Sequence, residues 1–116
     1  MPNYEVNEDG VRHARELIDA GEHDDTTEWS EAAPSAAEEN EERDSEGQEG
    51  YAEWHLAVDP DKGEGTKGRY RFPYGDFTRV NRAALIHAKQ RASQTDHREI
   101  EQAADDLLQR LDRKRG

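Results

Sequence analysis

Lys67, Arg69, Arg71, Arg79, Arg82, Lys89 and Arg91 crowd one stretch of this 116-residue chain, and Tyr70, Phe72 and Tyr74 lie among them. Positive charge beside aromatic faces suits an anion that carries a flat ring. Guanidinium and ammonium groups track phosphate, while rings stack on bases. Residues 67–95 carry seven basic side chains and one acidic, inside a chain of net charge −12. Alternation along a strand, however, sets Arg69 and Arg71 on the face opposite the three aromatics. On a following helix Arg82 and Lys89 share one side and Arg91 points away. Two destinations therefore stand for these cations: an anionic partner, either protein or nucleic acid, or the chain's own carboxylates.

Other chemistry is sparser. Glu53 and His55 occupy alternate positions and, with Asp76, form the best candidate for an acid–base or metal-assisted group. Exposed polar residues on the solvent side of a hairpin are the competing reading. His13, His23, His55, His87 and His97 never pair at helical spacing, and none sits in an H-E-x-x-H string. Cysteine is absent, which excludes disulfides and thiolate metal sites. The Gly63–Gly68 string fits G-x-G-x-x-G, but a strand follows it, so it reads as a hairpin loop rather than a dinucleotide cradle. Asp59 to Gly63 resembles the start of a calcium loop, yet Glu64 and Tyr70 stand where its glycine and bidentate glutamate belong. No cofactor and no metal is expected. The leading expectation is a non-enzymatic binding or accessory module with a basic surface over 67–91. A small metal-dependent or hydrolytic enzyme and a phage-derived assembly factor are the alternatives.

The elements that would position these residues must be built from few apolar side chains. Leu, Ile, Val and Phe together number 15, and 11 of them fall between Tyr51 and Asp112. Burial of such groups has to offset about 1–2 kcal/mol of backbone entropy per ordered residue. The acidic stretch 22–50, without Leu, Ile, Val, Phe or Met, is therefore expected to be a largely disordered, flexible segment. Its functional alternative is a partner-binding or DNA-mimicking arm. Within it, Ser35 and Glu38 match a capping box that would open a short helix to about Arg43.

Ahead of that segment, Val11, Ala14, Leu17 and Ile18 predict an N-terminal helix over 1–21, capped by Asn7 and closed at Gly21. Alternation over Tyr51–Val58 and Arg69–Tyr74 predicts an antiparallel hairpin, with Pro73 at a strand end or edge. Asn81 caps a helix to about Ser93. Asp96, with Glu99 three residues on, caps a second. The stripe Ile100, Ala103, Ala104, Leu107, Leu108 and Leu111 is the clearest periodic signal in the chain. Residues 51–112 thus read as a compact ββαα module of the α+β class, followed by a basic tail at 113–116. A helix-turn-helix is disfavoured, because Glu99, Glu101, Asp105 and Asp106 would face the phosphates.

The strings Lys67–Phe77, Ala84–Ala92 and Ile100–Leu108 resemble a family of small uncharacterised prokaryotic proteins. The same module is similar to segments attached to tailed-phage prohead proteases. The resemblance covers roughly 51–112, and it implies kinship with such modules but no particular activity. No apolar run approaches the ~20 residues that span a bilayer, and the acidic first ten residues do not form a signal peptide, so a cytoplasmic location without a membrane partner is expected. Twelve arginines against four lysines, with many carboxylates, suits a salt-rich cytoplasm or an arginine-biased genome.

Overall fold

A computed structural model describes residues 3–63 and 65–115. In chain order they form β1 (Glu5–Val6), α1 (Glu8–Asp19), β2 (His23–Asp24), α2 (Trp29–Ala32) and α3 (Ala36–Ala52). There follow β3 (His55–Val58), a 3-10 turn at Lys67–Arg69, β4 (Tyr70–Pro73), β5 (Val80–Asn81), α4 (Arg82–Gln94) and α5 (Arg98–Arg115). β3 is the middle of an antiparallel sheet ordered β1-β3-β4, with Val6 and Arg71 on either side of Ala57. Pro73 stands at the end of β4, an edge strand, where its missing N–H leaves no gap in the ladder. β2 and β5 pair separately and in parallel. The class is α+β, with β3 and β4 lying against α5 and α4 respectively.

The stripe on α5 does what its period predicts: Ile100, Ala104, Leu107, Leu108 and Leu111 are all buried. Each large aliphatic taken out of water contributes about 1.5–3 kcal/mol. The narrow apolar face of α1 finds its partner in the same core, where Val11, Ala14 and Ile18 join Trp54, Leu56, Leu85 and Ala104, Leu107, Leu108 and Leu111 of α5. Gly21 closes α1 at φ +80°, with Gly21 N–H donating to Ile18 O (3.1 Å) and Glu22 N–H to Leu17 O (2.8 Å). This crossed pair of bonds is the Schellman arrangement that glycine favours.

Asn7 precedes α1 as expected but does not cap it with its side chain. Its Nδ2 donates instead to Ala52 O (3.0 Å) and His55 O (3.1 Å), and its N–H to Leu56 O (2.8 Å). One turn later Gly10 lies so close to β3 that a Cβ would overlap the His55 carbonyl. Asn7 and Gly10 together seat α1 on the central strand.

Four expectations are corrected. The acidic segment 22–50 is not a flexible arm in this structure, for β2, α2 and most of α3 occupy it. Hydrogen bonds and ion pairs supply the order that apolar burial does not. Ser35 Oγ accepts from Glu38 N–H (3.2 Å) while Ser35 N–H donates to Glu38 (3.1 Å), so the capping box forms. Asp24 accepts from the Thr26 and Thr27 amides, Val80 N–H donates to Glu22 O, and Arg115 pairs with Asp25 at 3.2 Å.

Second, Tyr51 and Ala52 are not strand. They end α3, which continues well past Arg43, and β3 starts only at His55. Its burial covers His55, Leu56 and Ala57 in succession, as a strand flanked on both edges and both faces requires. Third, Asp96 does not cap α5. It lies at φ +59° just beyond α4, with Asp96 N–H to Ser93 O (3.3 Å) and His97 N–H to Ala92 O (2.8 Å). A second Schellman closure thus takes the residue whose short polar side chain best tolerates that conformation after glycine and asparagine. Fourth, residues 113–115 are no tail but the last turn of α5, where their cations meet the negative end of the helix.

Asn81 does cap α4, accepting from Ala84 N–H at 2.9 Å while its Nδ2 donates to Thr27 O at 3.0 Å. Among the described residues no helix is long and apolar enough to cross a membrane.

The Gly10 contact makes a direct prediction. Gly10→Ala should cost about 1–3 kcal/mol, the usual cost of forcing extra volume into a packed interface. The urea midpoint falls with little change in slope. An unchanged midpoint would show that α1 is not pinned to β3 there.

Candidate functional site

The sequence-predicted cations do not form one surface. Four of them are spent elsewhere. Arg82 forks onto Asp112 at 2.9 and 3.1 Å, and Lys89 reaches Asp105 at 2.8 Å, so both tie α4 to α5. Each hydrogen bond holds its cation above its ordinary pKa and its carboxylate below the ordinary range. Arg79 lies 3.7 Å from Asp76 and 3.9 Å from Asp24. Arg69 donates to the Lys62 carbonyl at 2.7 Å and stiffens the β3–β4 connection.

The other three, Lys67, Arg71 and Arg91, meet at a single cleft of about 520 Å3. The 3-10 turn brings Lys67, β4 brings Arg71, and the last turns of α4 bring Arg91. Between them stand the rings of Tyr4, Trp29, Tyr51, Tyr70 and Phe72, with His55 and His87. Alternation along β4 explains the layout: Tyr70 and Phe72 are half-buried while Arg71 and Pro73 are exposed. Phe72 adopts φ +61°, a conformation uncommon for a bulky side chain and costly to hold.

Each cation in the cleft has a different neighbour. Lys67 Nζ is 2.9 Å from Glu39, reaching across from α3. Arg71 donates to Tyr4 Oη at 3.0 and 3.2 Å and lies over the Tyr4 ring at 5.5 Å. Tyr4 is itself held by stacking on His97 at 4.9 Å and by an edge contact with Phe72 at 5.7 Å. Arg91 is exposed at the rim, and none of the ion pairs formed among the described residues includes it.

The interior of the cleft is neutral. His55 is only 4% exposed, with its Nδ1 donating to Tyr51 O at 3.1 Å, which leaves Nε2 as the acceptor nitrogen. Burial, opposed only in part by backbone hydrogen bonds from the ring to Tyr51 and Ala52, pushes its pKa down to about 4. Tyr51, packed on that imidazole at 4.7 Å, is pushed up to about 12, again mainly by burial. Both groups stay uncharged across the physiological range, so the cleft presents flat neutral rings inside and positive charge outside.

The acid–base trio read from sequence is not assembled. His55 belongs to the cleft, but Glu53 approaches His13 at 3.9 Å, on the side where His13 Nδ1 bonds Tyr74 Oη at 2.8 Å. Tyr74 Oη then donates to Glu53 O at 2.7 Å. Asp76 accepts from the Thr78 and Arg79 amides at 3.0 and 2.7 Å, a turn-closing role. Among the described residues no group of three or more His, Asp or Glu side chains is arranged to hold a metal. The glycine string opens no helix. It turns between β3 and β4, with Glu64 outside the described residues.

Sequence reasoning missed Tyr4, Trp29, Tyr51 and His87. A signal existed for one of them. Trp29 is the lone large apolar residue in the acidic segment, and a solitary aromatic there needs a surface to cover. A second groove, about 750 Å3 between α1 and α5, is larger but has no aromatic side chain, and its Arg110 is forked onto Asp19 at 2.7 Å.

The depressed His55 pKa carries a stability prediction. The unfolded imidazole takes a proton near pH 6.5 and the folded one only near pH 4, so the unfolded state binds more protons between those values. Stability is therefore full above pH 6.5 and falls as pH drops toward 4, by roughly 3 kcal/mol at most. Denaturant titrations across this window should show the loss in wild type and a flatter profile in His55→Gln. Equal slopes in the two proteins would remove His55 as the cause.

No family model matches the chain, and no curated protein or solved structure matches it either.

Proposed function

We propose that this protein is a non-enzymatic binding module whose cleft takes an anionic partner carrying a flat ring, of which a nucleotide is the simplest example. The observation that carries the reading is the convergence of Lys67, Arg71 and Arg91 on a cleft walled by Trp29, Tyr51, Tyr70 and Phe72. Base–aromatic stacking contributes about 1–3 kcal/mol per base, and a charge-assisted hydrogen bond about 1.5–3 kcal/mol. Three cations and several ring faces are enough for a measurable affinity after the cost of association is met.

The same chemistry is offered by a free mononucleotide and by an exposed nucleotide of a single strand. Net charge favours the shorter ligand. The chain carries −12 overall, and the Glu39 carboxylate of α3 lines the cleft. A long polyanion leaving the cleft would run along like charge. The uncommitted cation Arg91 makes the cleanest probe, since removing it breaks no ion pair within the described residues.

Two ligands separate the sources: adenosine monophosphate and a short thymidylate single strand, each titrated while Trp fluorescence is followed. Trp29 lines the cleft, so its emission should change on binding. Affinity should fall with salt, with a log–log slope for the strand no steeper than about −2, as three phosphate contacts dictate. Arg91→Ala should weaken binding about tenfold without moving the urea midpoint. If neither ligand binds at low salt, the cleft is not a nucleotide site, and its cations serve the fold alone.

A further inference from the structure

α3 is not a uniform helix. At Gly47 the backbone leaves the helical region for φ 76°, ψ 178°, a conformation that is essentially glycine's alone. Nothing lies within 4 Å of where a Cβ would stand, so glycine is there for its backbone freedom and not for space. The break divides the element into a limb at 36–46 and a short base at 48–52, whose Tyr51 is the one buried residue of α3. The limb has no apolar stripe, and a helix of that length is marginal by itself in water.

Polar ties hold the limb down, one to Lys67 in the cleft and another to the β3–β4 connection beside it. Glu39 pairs with Lys67 at 2.9 Å, both side chains about a third exposed, and Glu39 is itself part of the cleft wall. Arg43 donates to Gly65 O at 2.8 Å and lies over the Tyr51 ring at 6.0 Å. Its Nε is buried without a hydrogen-bond partner, so the closed position leaves one polar group unsatisfied. A partly exposed ion pair is a weak tie, readily exchanged for another anion of the same charge.

We propose that the 36–46 limb is a hinged acidic lid. The Glu39 carboxylate occupies Lys67 in the place of the ligand's anion, and a bound anion displaces it as the limb swings about Gly47. The proposal rests on the cleft being an anion site. It adds that the site is held shut by a competitor built into the chain, so the apparent affinity reports the exchange of one anion for another.

The test uses the full chain and adenosine monophosphate. Glu39→Gln should bind it about three- to tenfold more tightly than wild type. Glu41→Gln removes the same charge from an exposed position of the same limb and should leave the affinity unchanged. In a Lys67→Gln background the gain from Glu39→Gln should vanish, because the contested cation is gone. Amides of 36–46 should exchange faster with solvent in Glu39→Gln, and in wild type once ligand is added, while those of α5 do not change. Equal affinities for wild type and Glu39→Gln would overturn the lid and spare the cleft. Equal gains from Glu39→Gln and Glu41→Gln would reduce the effect to bulk charge and also overturn the lid. Failure of every variant to bind would overturn the cleft reading and the lid together.

Discussion

The carbonyls of Ala52, His55 and Leu56 are the point on which the rest of the molecule hangs. Asn7 takes all three with its main-chain and side-chain donors, and Gly10 lets the first turn of α1 lie flat against His55 O. These contacts bring an N-terminal helix and strand to a C-terminal module that is short of apolar surface. Without Val11, Ala14 and Ile18, one side of the α5 stripe would face water. With them, the thin supply of aliphatics closes into a core, capped by Trp54 stacked on Tyr74 at 5.4 Å. Gly75 makes the second close approach, since a Cβ there would press on the Trp54 ring.

The same strand that accepts α1 on one side supplies the cleft on the other. His55 gives its carbonyl to Asn7 and its ring to the cleft, held by the Tyr51 carbonyl. Packing of the N-terminal helix and the position of the neutral ring in the cleft are thus set by one residue. The cations follow a similar division. Arg82 and Lys89 fasten α4 to α5 through Asp112 and Asp105, which leaves Lys67, Arg71 and Arg91 to shape the rim. A charge stretch that looks uniform along the chain is divided by three-dimensional neighbours into fasteners and cleft residues.

Much of the fold could be read from the residues themselves. The α5 stripe, the Asn81 cap, the Ser35–Glu38 box, Gly21 and the edge position of Pro73 each follow from local chemistry, and local chemistry is visible in sequence. What escaped was non-local. β1 and β2 are two residues long and exist through partners at 57–58 and 80–81. α3 looks too polar to fold because its ties lie at Gly65, Lys67 and Tyr70 rather than in an apolar face. Asp96 reads as a cap for α5 because its left-handed conformation has no signature beyond residue type. Of the cleft, charge points to Lys67, Arg71 and Arg91, whereas Tyr4 and Trp29 arrive from the predicted N-terminal helix and from a stretch whose composition predicts a flexible segment.

The long reach of β1 and β2 also bears on how the chain must be made. During synthesis, residues 5–6 leave the ribosome some fifty residues ahead of their partners in β3, and residues 23–24 wait still longer for β5. For that interval the emerged segment can complete no sheet and bury little. Its composition suits the delay: it is dense in carboxylates and holds few aliphatics that a neighbouring nascent chain might capture. The carboxylates that repel one another in the finished fold also leave the half-made one little apolar surface to associate through.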